Sequence, residues 1–395
     1  MDNDKIRIGL ARLGHRGVVW LRHLTAENGF RVTAVCDPIP SLHRSALARI
    51  PDSGVTAYRK YDDMLADDRV DAVALCVRSR NQGFLAAQAL TADKHVNAEV
   101  PAAHSMEDCW RIVLATERTG LVCSHAEQTR YWGFVDAWHE MVSDGRLGHV
   151  TFCEGQYLGY YGTHQFFQDP ATGEFCPVER RDQQSGSRPT WLNQMPPIHY
   201  LPHELSPMLK ILDDRVVEVV AMSTDSPSKS HPEIEQPDIQ VALMKTEKGA
   251  ILRMAAGFTQ QVCHERGHHW YQVMGTGGSI EWKRSARGKP LMWLADQQMH
   301  DMAEVDWGLE RADAPDQAHG SGHGDADYYV HAAFRDVVTG QRQLDFDVYE
   351  AMETAAPAVL AADSIDQVSL PMRVPDFRPG KLRIIGQAPE TFPDL

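Results

Sequence analysis

The chain has 395 residues, 43% hydrophobic and 24% charged, and its 54 acidic against 39 basic residues give a formal net charge of −15. That length exceeds one ordinary core and implies two or three domains, and the composition is globular, with no apolar run long enough to cross a bilayer. The negative balance repels nucleic-acid phosphates and anionic lipid, which excludes both as partners.

In chain order, residues 6–10 read as a short buried strand, followed by a glycine-bearing turn and a helix over 18–24. Strand 32–36 ends at Asp37-Pro38; helix 42–50, strand 55–58, a helix ahead of Asp67 and the apolar strand 72–77 follow. The alternation continues through helix 83–91, strand 95–98, helix 106–119 and strand 121–124. Strands separated by helices mean βαβ units, so residues 1–127 are expected to form a doubly wound, parallel Rossmann domain that binds NAD.

Past Tyr131 a helix to about residue 144 is expected, then alternating stretches at 150–157, 216–223, 239–246, 250–256 and 270–275. These predict long strands of a large open, mostly antiparallel sheet in an α+β domain over 128–395, which gives an α/β chain with its substrate-binding and oligomerisation part at the C-terminal side. Two Gly/Pro/Asp-rich segments, 168–197 and 306–325, exceed the usual connection length and are expected to be functional loops.

The first turn reads Gly9-Leu10-Ala11-Arg12-Leu13-Gly14-His15-Arg16-Gly17, so the G-x-G-x-x-G fingerprint keeps its last two glycines and has Arg12 in the first place. Gly14 would let the backbone approach a pyrophosphate, Gly17 would let the helix pack close to the sheet, and free N–H groups at the helix start would hold the anion. Asp37, at the end of the second strand, stands where a carboxylate receives ribose hydroxyls, and its charge favours NAD over NADP. A glycine turn that binds another nucleotide is the alternative.

Arg12-Leu13-Gly14-His15-Arg16-Gly17, Asp37, the strand end at 76–81 and His95-Val96-Asn97-Ala98-Glu99-Val100-Pro101 resemble the glucose-fructose oxidoreductase and inositol dehydrogenase family (Gfo/Idh/MocA) over nearly the whole chain. The resemblance implies an NAD site formed by Arg12, Leu13, Gly14, His15, Arg16, Asp37, Arg78, Asn81 and Glu99. In that family the last segment ends in Glu-Lys-Pro, with the lysine beside the nicotinamide; here the position is Val100, which can neither titrate nor donate.

Glu99-Val100-Pro101-Ala102-Ala103 and Glu107-Asp108-Cys109-Trp110 are similar to the family's NAD-dependent glycosidases, a branch that includes α-N-acetylgalactosaminidases. Glu154-Gly155-Gln156-Tyr157 resembles that branch's Glu-Gly-x-Tyr, and Tyr200-Leu201-Pro202-His203-Glu204-Leu205-Ser206-Pro207 its Tyr-Pro-Thr-His-x-x-x-Pro. The resemblance implies hydrolysis through transient oxidation at C3 of a sugar, loss of the C2 proton, elimination of the glycosidic oxygen, water addition and re-reduction. Tyr157 or Tyr200 would be the base at C2 and His203 would hold or deprotonate the C3 hydroxyl. A phenol titrates near pH 10, about three units too high, so a nearby cation must lower it. If Tyr200 opens a helix, its spacing to His203 puts both on one face.

Two other functions remain open at this level: a sugar or cyclitol dehydrogenase with net hydride transfer, in which His203 replaces the lysine, and a non-catalytic NAD-binding sensor. Trp191 is a candidate to stack on a pyranose and Asn193 to hydrogen-bond its hydroxyls, while the resemblance makes His323 a sugar contact. The run Cys263-His264-Glu265-Arg266-Gly267-His268-His269 matches no metal-ligand spacing, so solvated strand-end histidines and no metal are expected. Seven cysteines, an odd number without a C-x-x-C pair, and the lack of an export leader predict reduced thiols in the cytoplasm. The partner expected is a small sugar or glycoside, and a homo-oligomer, dimer or tetramer, is expected because a large open sheet commonly pairs with a second subunit.

Overall fold

In the computed structural model, residues 5–389 are described except 27–28, 51–53, 78–79, 161–164, 171, 184–185, 261–268 and 381–382. The N-terminal part alternates β1 (Ile6–Ala11), α1 (His15–Ala26), β2 (Phe30–Cys36), α2 (Pro40–Leu47), β3 (Thr56–Tyr58), α3 (Tyr61–Leu65), β4 (Ala72–Leu75), α4 (Gln82–Thr91), β5 (His95–Ala98), α5 (Met106–Thr119) and β6 (Cys123–His125). These six strands form a parallel sheet in the order β3-β2-β1-β4-β5-β6. Every residue of β4 is buried, as a strand covered by helices on both faces requires. α5 starts where Ser105 accepts the Asp108 N–H at 3.1 Å, and stops at Gly120, whose φ of 67° suits a residue without Cβ.

The chain continues through α6 (Gly133–Ser143), β7 (Val150–Leu158), three two-residue strands β8 (Phe167–Gln168), β9 (Phe175–Cys176) and β10 (Arg188–Pro189), α7 (Trp191–Gln194) and α8 (Pro202–Leu212). Then come β11 (Val216–Ser223), β12 (Gln240–Thr246), β13 (Ile251–Gly257), β14 (His269–Gly275), β15 (Gly278–Glu281), β16 (Leu291–Leu294), β17 (Ala303–Glu304), α9 (Ala326–Val338), α10 (Val348–Asp366) and β18 (Met372–Arg373). The second sheet has nine strands in the order β17-β16-β15-β14-β7-β13-β12-β11-β18.

Its pairings are antiparallel except one: β13 runs parallel to β7 from Ile251↔Phe152 to Gly257↔Leu158. The sheet is therefore mixed. On its other side β7 pairs with β14, antiparallel. The segment 168–197, read as a long loop, contains the small sheet β10-β8-β9 and α7. Tyr200 does not open a helix; it closes the 3₁₀ turn Pro197–Tyr200, and α8 begins at Pro202, where proline is tolerated in a first helical turn.

One face of the second sheet is packed, with Ala221, Ala242, Leu252, Met254 and Val273 buried, while Met222, Leu243, Ile251 and Met274 stand exposed on the alternate positions of the same strands. No helix among the described residues is long and apolar enough to cross a membrane. The six described cysteines are free and buried; Cys263 lies outside the described residues.

Candidate active site

At the end of β1, Arg12 occupies a left-handed conformation, φ 72°, in the place where the fingerprint has its first glycine. The turn is held from both sides: the Arg12 N–H donates to the Cys36 carbonyl at 2.7 Å, and the Leu13 N–H donates to Asp37 Oδ2 at 2.9 Å. Asp37 Oδ1 accepts the Ile39 N–H at 2.8 Å, so each carboxylate oxygen keeps further acceptor capacity for the crevice. A Cβ on Gly17 would lie 2.0 Å from the Arg12 carbonyl oxygen, whereas one on Gly14 would meet nothing within 4 Å. Gly17 thus lets the helix start press on the strand-end carbonyl, and Gly14 leaves its backbone open to a ligand.

The resulting crevice, of about 310 Å³, is lined by Arg12, Gly14, His15, Arg16, Asp37 and Trp191 among others. An open glycine backbone, the N-terminus of α1 and an acceptor at the end of β2 fit a dinucleotide. Leu13 is buried, does not line the crevice, and its N–H is engaged by Asp37. Asn81 is exposed at the head of α4 and does not line the crevice, and Arg78 lies outside the described residues.

A second cavity, of about 370 Å³, shares His15, Arg16, Gln165 and Leu192 with the crevice, so the two adjoin. Tyr157, Tyr200, His203, His269, His323 and Glu99 line it. Tyr157 comes from β7 and lies opposite His269 of β14, and their rings stack at 4.5 Å and 13°. His203, in the first turn of α8, meets Tyr157 edge-on at 5.3 Å and 71°. Tyr200 stacks on His203 at 5.7 Å and 26°, and on Trp191 at 5.7 Å and 25°.

Each histidine holds a buried carboxylate. His203 Nδ1 is 2.7 Å from Glu127 Oε1, and the single Thr129 hydroxyl hydrogen is shared between that oxygen, at 3.0 Å, and the His203 carbonyl. The His203 carbonyl accepts Thr129 Oγ1 at 2.7 Å and the Tyr271 hydroxyl at 3.1 Å, which fixes the start of α8. Burial opposes a charge on His203, but the Glu127 carboxylate outweighs it and raises the imidazole above its ordinary pKa. With Nδ1 engaged, Nε2 is the nitrogen left for the cavity.

His269 Nδ1 is 2.7 Å from Glu204 Oε1, but here burial wins on both sides: it pushes Glu204 well above the carboxylate range and, with His203 nearby, His269 well below its ordinary value. We read this contact as a hydrogen bond between two neutral groups. Further round the cavity Arg16 binds Glu99 Oε1 through Nε at 2.6 Å and Asp327 through both terminal nitrogens at 3.1 and 2.8 Å. His323, at φ 46°, adds Nδ1 at 3.0 Å to the same Asp327. The Arg16 side chain is therefore spent on protein contacts.

The structure brings Tyr157, Tyr200, His203 and His323 to one cavity with Glu99. It does not bring Asn193 there: that side chain is fully buried, with Oδ1 accepting the Glu235 N–H at 3.1 Å, and it braces a loop rather than reaching a sugar. Trp191 lines the dinucleotide crevice and not the second cavity. His269 corrects the expectation of a solvated histidine, because its strand position opposite Tyr157 turns it inward. His264 and His268 lie outside the described residues, and among the described residues no cluster of metal-ligating side chains occurs.

Residues 135–383 match the C-terminal domain of glycosyl hydrolase 109, and residues 6–127 match the oxidoreductase family with an NAD-binding Rossmann fold. The chain belongs to glycosyl hydrolase family 109. It is 25% identical, over 96% of its length and 84% of the relative's, to a glycosyl hydrolase family 109 protein of Saccharopolyspora erythraea. With the α-N-acetylgalactosaminidase of Bacteroides fragilis the identity is 26%, over 95% of this chain and 92% of that one. An oxidoreductase domain protein from Kribbella flavida superposes with a TM-score of 0.74 at 16% identity, covering 94% of this chain and 99% of that one, which shows a shared fold.

This family 109 chain is thus an enzyme on an NAD-binding oxidoreductase fold. Its site residues that sequence reasoning missed are Glu127, Glu204, His269 and Asp327. Asp327 stands four residues past His323 at the start of α9, a spacing that could have paired them. Glu127 carries no local signal.

Proposed function

We propose that this family 109 enzyme is an NAD-dependent glycoside hydrolase that works by transient oxidation at C3, elimination, water addition and re-reduction, with residues 1–127 holding the dinucleotide and 128–395 the sugar. The observation that carries this reading is Tyr157, packed between one histidine raised by a carboxylate and one held neutral. Val100, buried and unable to titrate, leaves the proton work to these groups. NAD, preferred over NADP because Asp37 faces the crevice, supplies a reversible acceptor for the sugar's hydride when bound.

His203 accepts the C3 hydroxyl proton at Nε2, and Glu127 stabilises the imidazolium that results. That cation, edge-on to Tyr157 at 5.3 Å, favours an ionised phenol, which takes the C2 proton and later returns it. Tyr200, pinned between Trp191 and His203, holds the imidazole plane. His323 and Glu99 bound the sugar's hydroxyl side. The relative from Bacteroides fragilis makes an α-linked N-acetylgalactosaminide the first substrate to test.

The test is incubation with NAD and 4-nitrophenyl α-N-acetylgalactosaminide in heavy water. Nitrophenol release without net NADH, deuterium at C2 of the product, and a loss of roughly 100- to 10,000-fold in kcat for Tyr157→Phe are expected. Stoichiometric NADH from free sugars, or no release across a broad panel of α- and β-glycosides, overturns the reading. The exposed row Met222, Leu243, Ile251 and Met274 supports a homo-oligomer, dimer or tetramer, which light scattering measures. Six free cysteines support a cytoplasmic, reducing setting.

A further inference from the structure

A third cavity, of about 290 Å³, lies between α1 and the chain that leads into α9. Arg22 and Ser321 line both this cavity and the one that holds Tyr157 and His203, so the two adjoin at these side chains. The outer lining includes Arg22, His23, His319, Tyr328, His331 and Arg335, and no carboxylate lines it among the described residues. Most of these groups are already committed. Arg335 Nη2 is 2.7 Å from Asp336 Oδ1, and His319 Nδ1 is 2.9 Å from Asp325 Oδ2. Burial holds His23 and His331 below their ordinary values, His331 to about 3, which makes both neutral.

Arg22 differs. It is exposed, at the junction of the two cavities, and its guanidinium forms no ion pair or hydrogen bond with any described residue. Tyr328, tied to the rim by its N–H donated to Ser321 Oγ at 3.1 Å, adds a phenol to the same space. An uncompensated guanidinium between two cavities, facing a lining without carboxylates, suits an oxyanion that accepts two parallel N–H bonds.

We propose that this outer cavity receives the leaving-group side of the glycoside and selects an anionic substituent there, a carboxylate or a sulfonate-like group, through Arg22. Which end of the substrate lies outermost rests on the glycosidase reading; the anion preference itself does not. The two carrier chemistries share one recognition and are separated by the probes below.

Titration calorimetry on the NAD-loaded protein would use 4-nitrophenyl α-N-acetylgalactosaminide, its 3-carboxy and 3-sulfo counterparts, and free 3-carboxy-4-nitrophenol. At low ionic strength the anionic glycosides are expected to bind about tenfold more tightly than the neutral one, with the advantage shrinking as salt is added. Arg22→Gln is expected to erase that ratio and Arg22→Lys to keep part of it, with thermal unfolding confirming that both fold. A tighter carboxy or sulfo arm names the group. Equal affinity for neutral and anionic glycosides, or a ratio that survives in Arg22→Gln, overturns the proposal. If no glycoside binds, the free phenol decides: Arg22-dependent binding upholds the outer site while the glycosidase reading falls, and its absence overturns the outer site too.

Discussion

Two imidazole–carboxylate contacts of equal length, 2.7 Å, flank one phenol, and their imidazoles are shifted in opposite directions. Glu127 keeps His203 above its ordinary pKa, so in its proposed role as a base His203 is silenced below a pH higher than about 6.5, and the acid limb of kcat/KM should lie above that value. Glu127→Gln keeps a hydrogen-bond acceptor but removes the charge. We expect the limb to move to lower pH and the plateau to fall roughly 10- to 100-fold, because the base is weaker; a pH–rate profile with an unmoved limb would count against Glu127's role. At this scale the sequence made Tyr157, Tyr200 and His203 legible through their motifs, but not the partners that set their proton states. Glu127 lies 76 residues from His203 in the chain and Glu204 lies 65 from His269, separations that no local pattern spans. Glu204 sits beside His203, yet an acid in the first turn of a helix reads as a partner of the helix dipole.

β7 is the element on which the site is built, since it carries Tyr157 outward from a position where Gly155 lets α8 lie close. A Cβ on Gly155 would fall 2.7 Å from Met254 Sδ and 3.0 Å from Glu204 Cβ. Gly155→Ala should therefore push α8 off the strand, costing about 1–3 kcal/mol of stability and lowering kcat as the Glu204–His269 contact loosens. NAD affinity should hold, because neither Gly155 nor any residue of α8 lines the crevice; thermal unfolding together with an NAD titration checks both, and an undisturbed kcat would sink the expectation. Elements with clear punctuation were readable as they stand, such as β5 and α5, where Ser105 and Gly120 mark the helix ends. The parallel pairing of β13 on β7 was not, because strand direction depends on how the chain crosses over, and two-residue strands such as β8 to β10 are too short to show alternation.

Across the whole molecule, buried neutral histidines make folding sensitive to acid. Burial holds His104 and His125 to about 4 and His199 and His331 to about 3. Unfolding lets each take a proton below about pH 6.5 that the folded chain refuses, so stability is lost as pH falls from there towards those values. The slope is about 1.4 kcal/mol per pH unit for each group, roughly 5 for the four together, against a typical total of about 5–15. His203, Glu204 and Glu353 work the other way, their raised values favouring the folded state as pH falls, but His23, His95 and His269 are lowered like the first four and offset them. Near-ultraviolet circular dichroism should show cooperative unfolding between about pH 6.5 and 4.5, and a melting temperature constant over that window would refute this.

The contact of Arg16 with Glu99 on one side and Asp327 on the other spans 311 residues of chain, and all three groups are buried. Prising the N-terminal sheet away from α9 would strand a cation and two anions in a dry interior, at a cost of several kcal/mol. The jaws around the crevice are in effect riveted shut on that side, so whatever is lodged between them must leave by yielding side chains at the mouth, not by a wide gape.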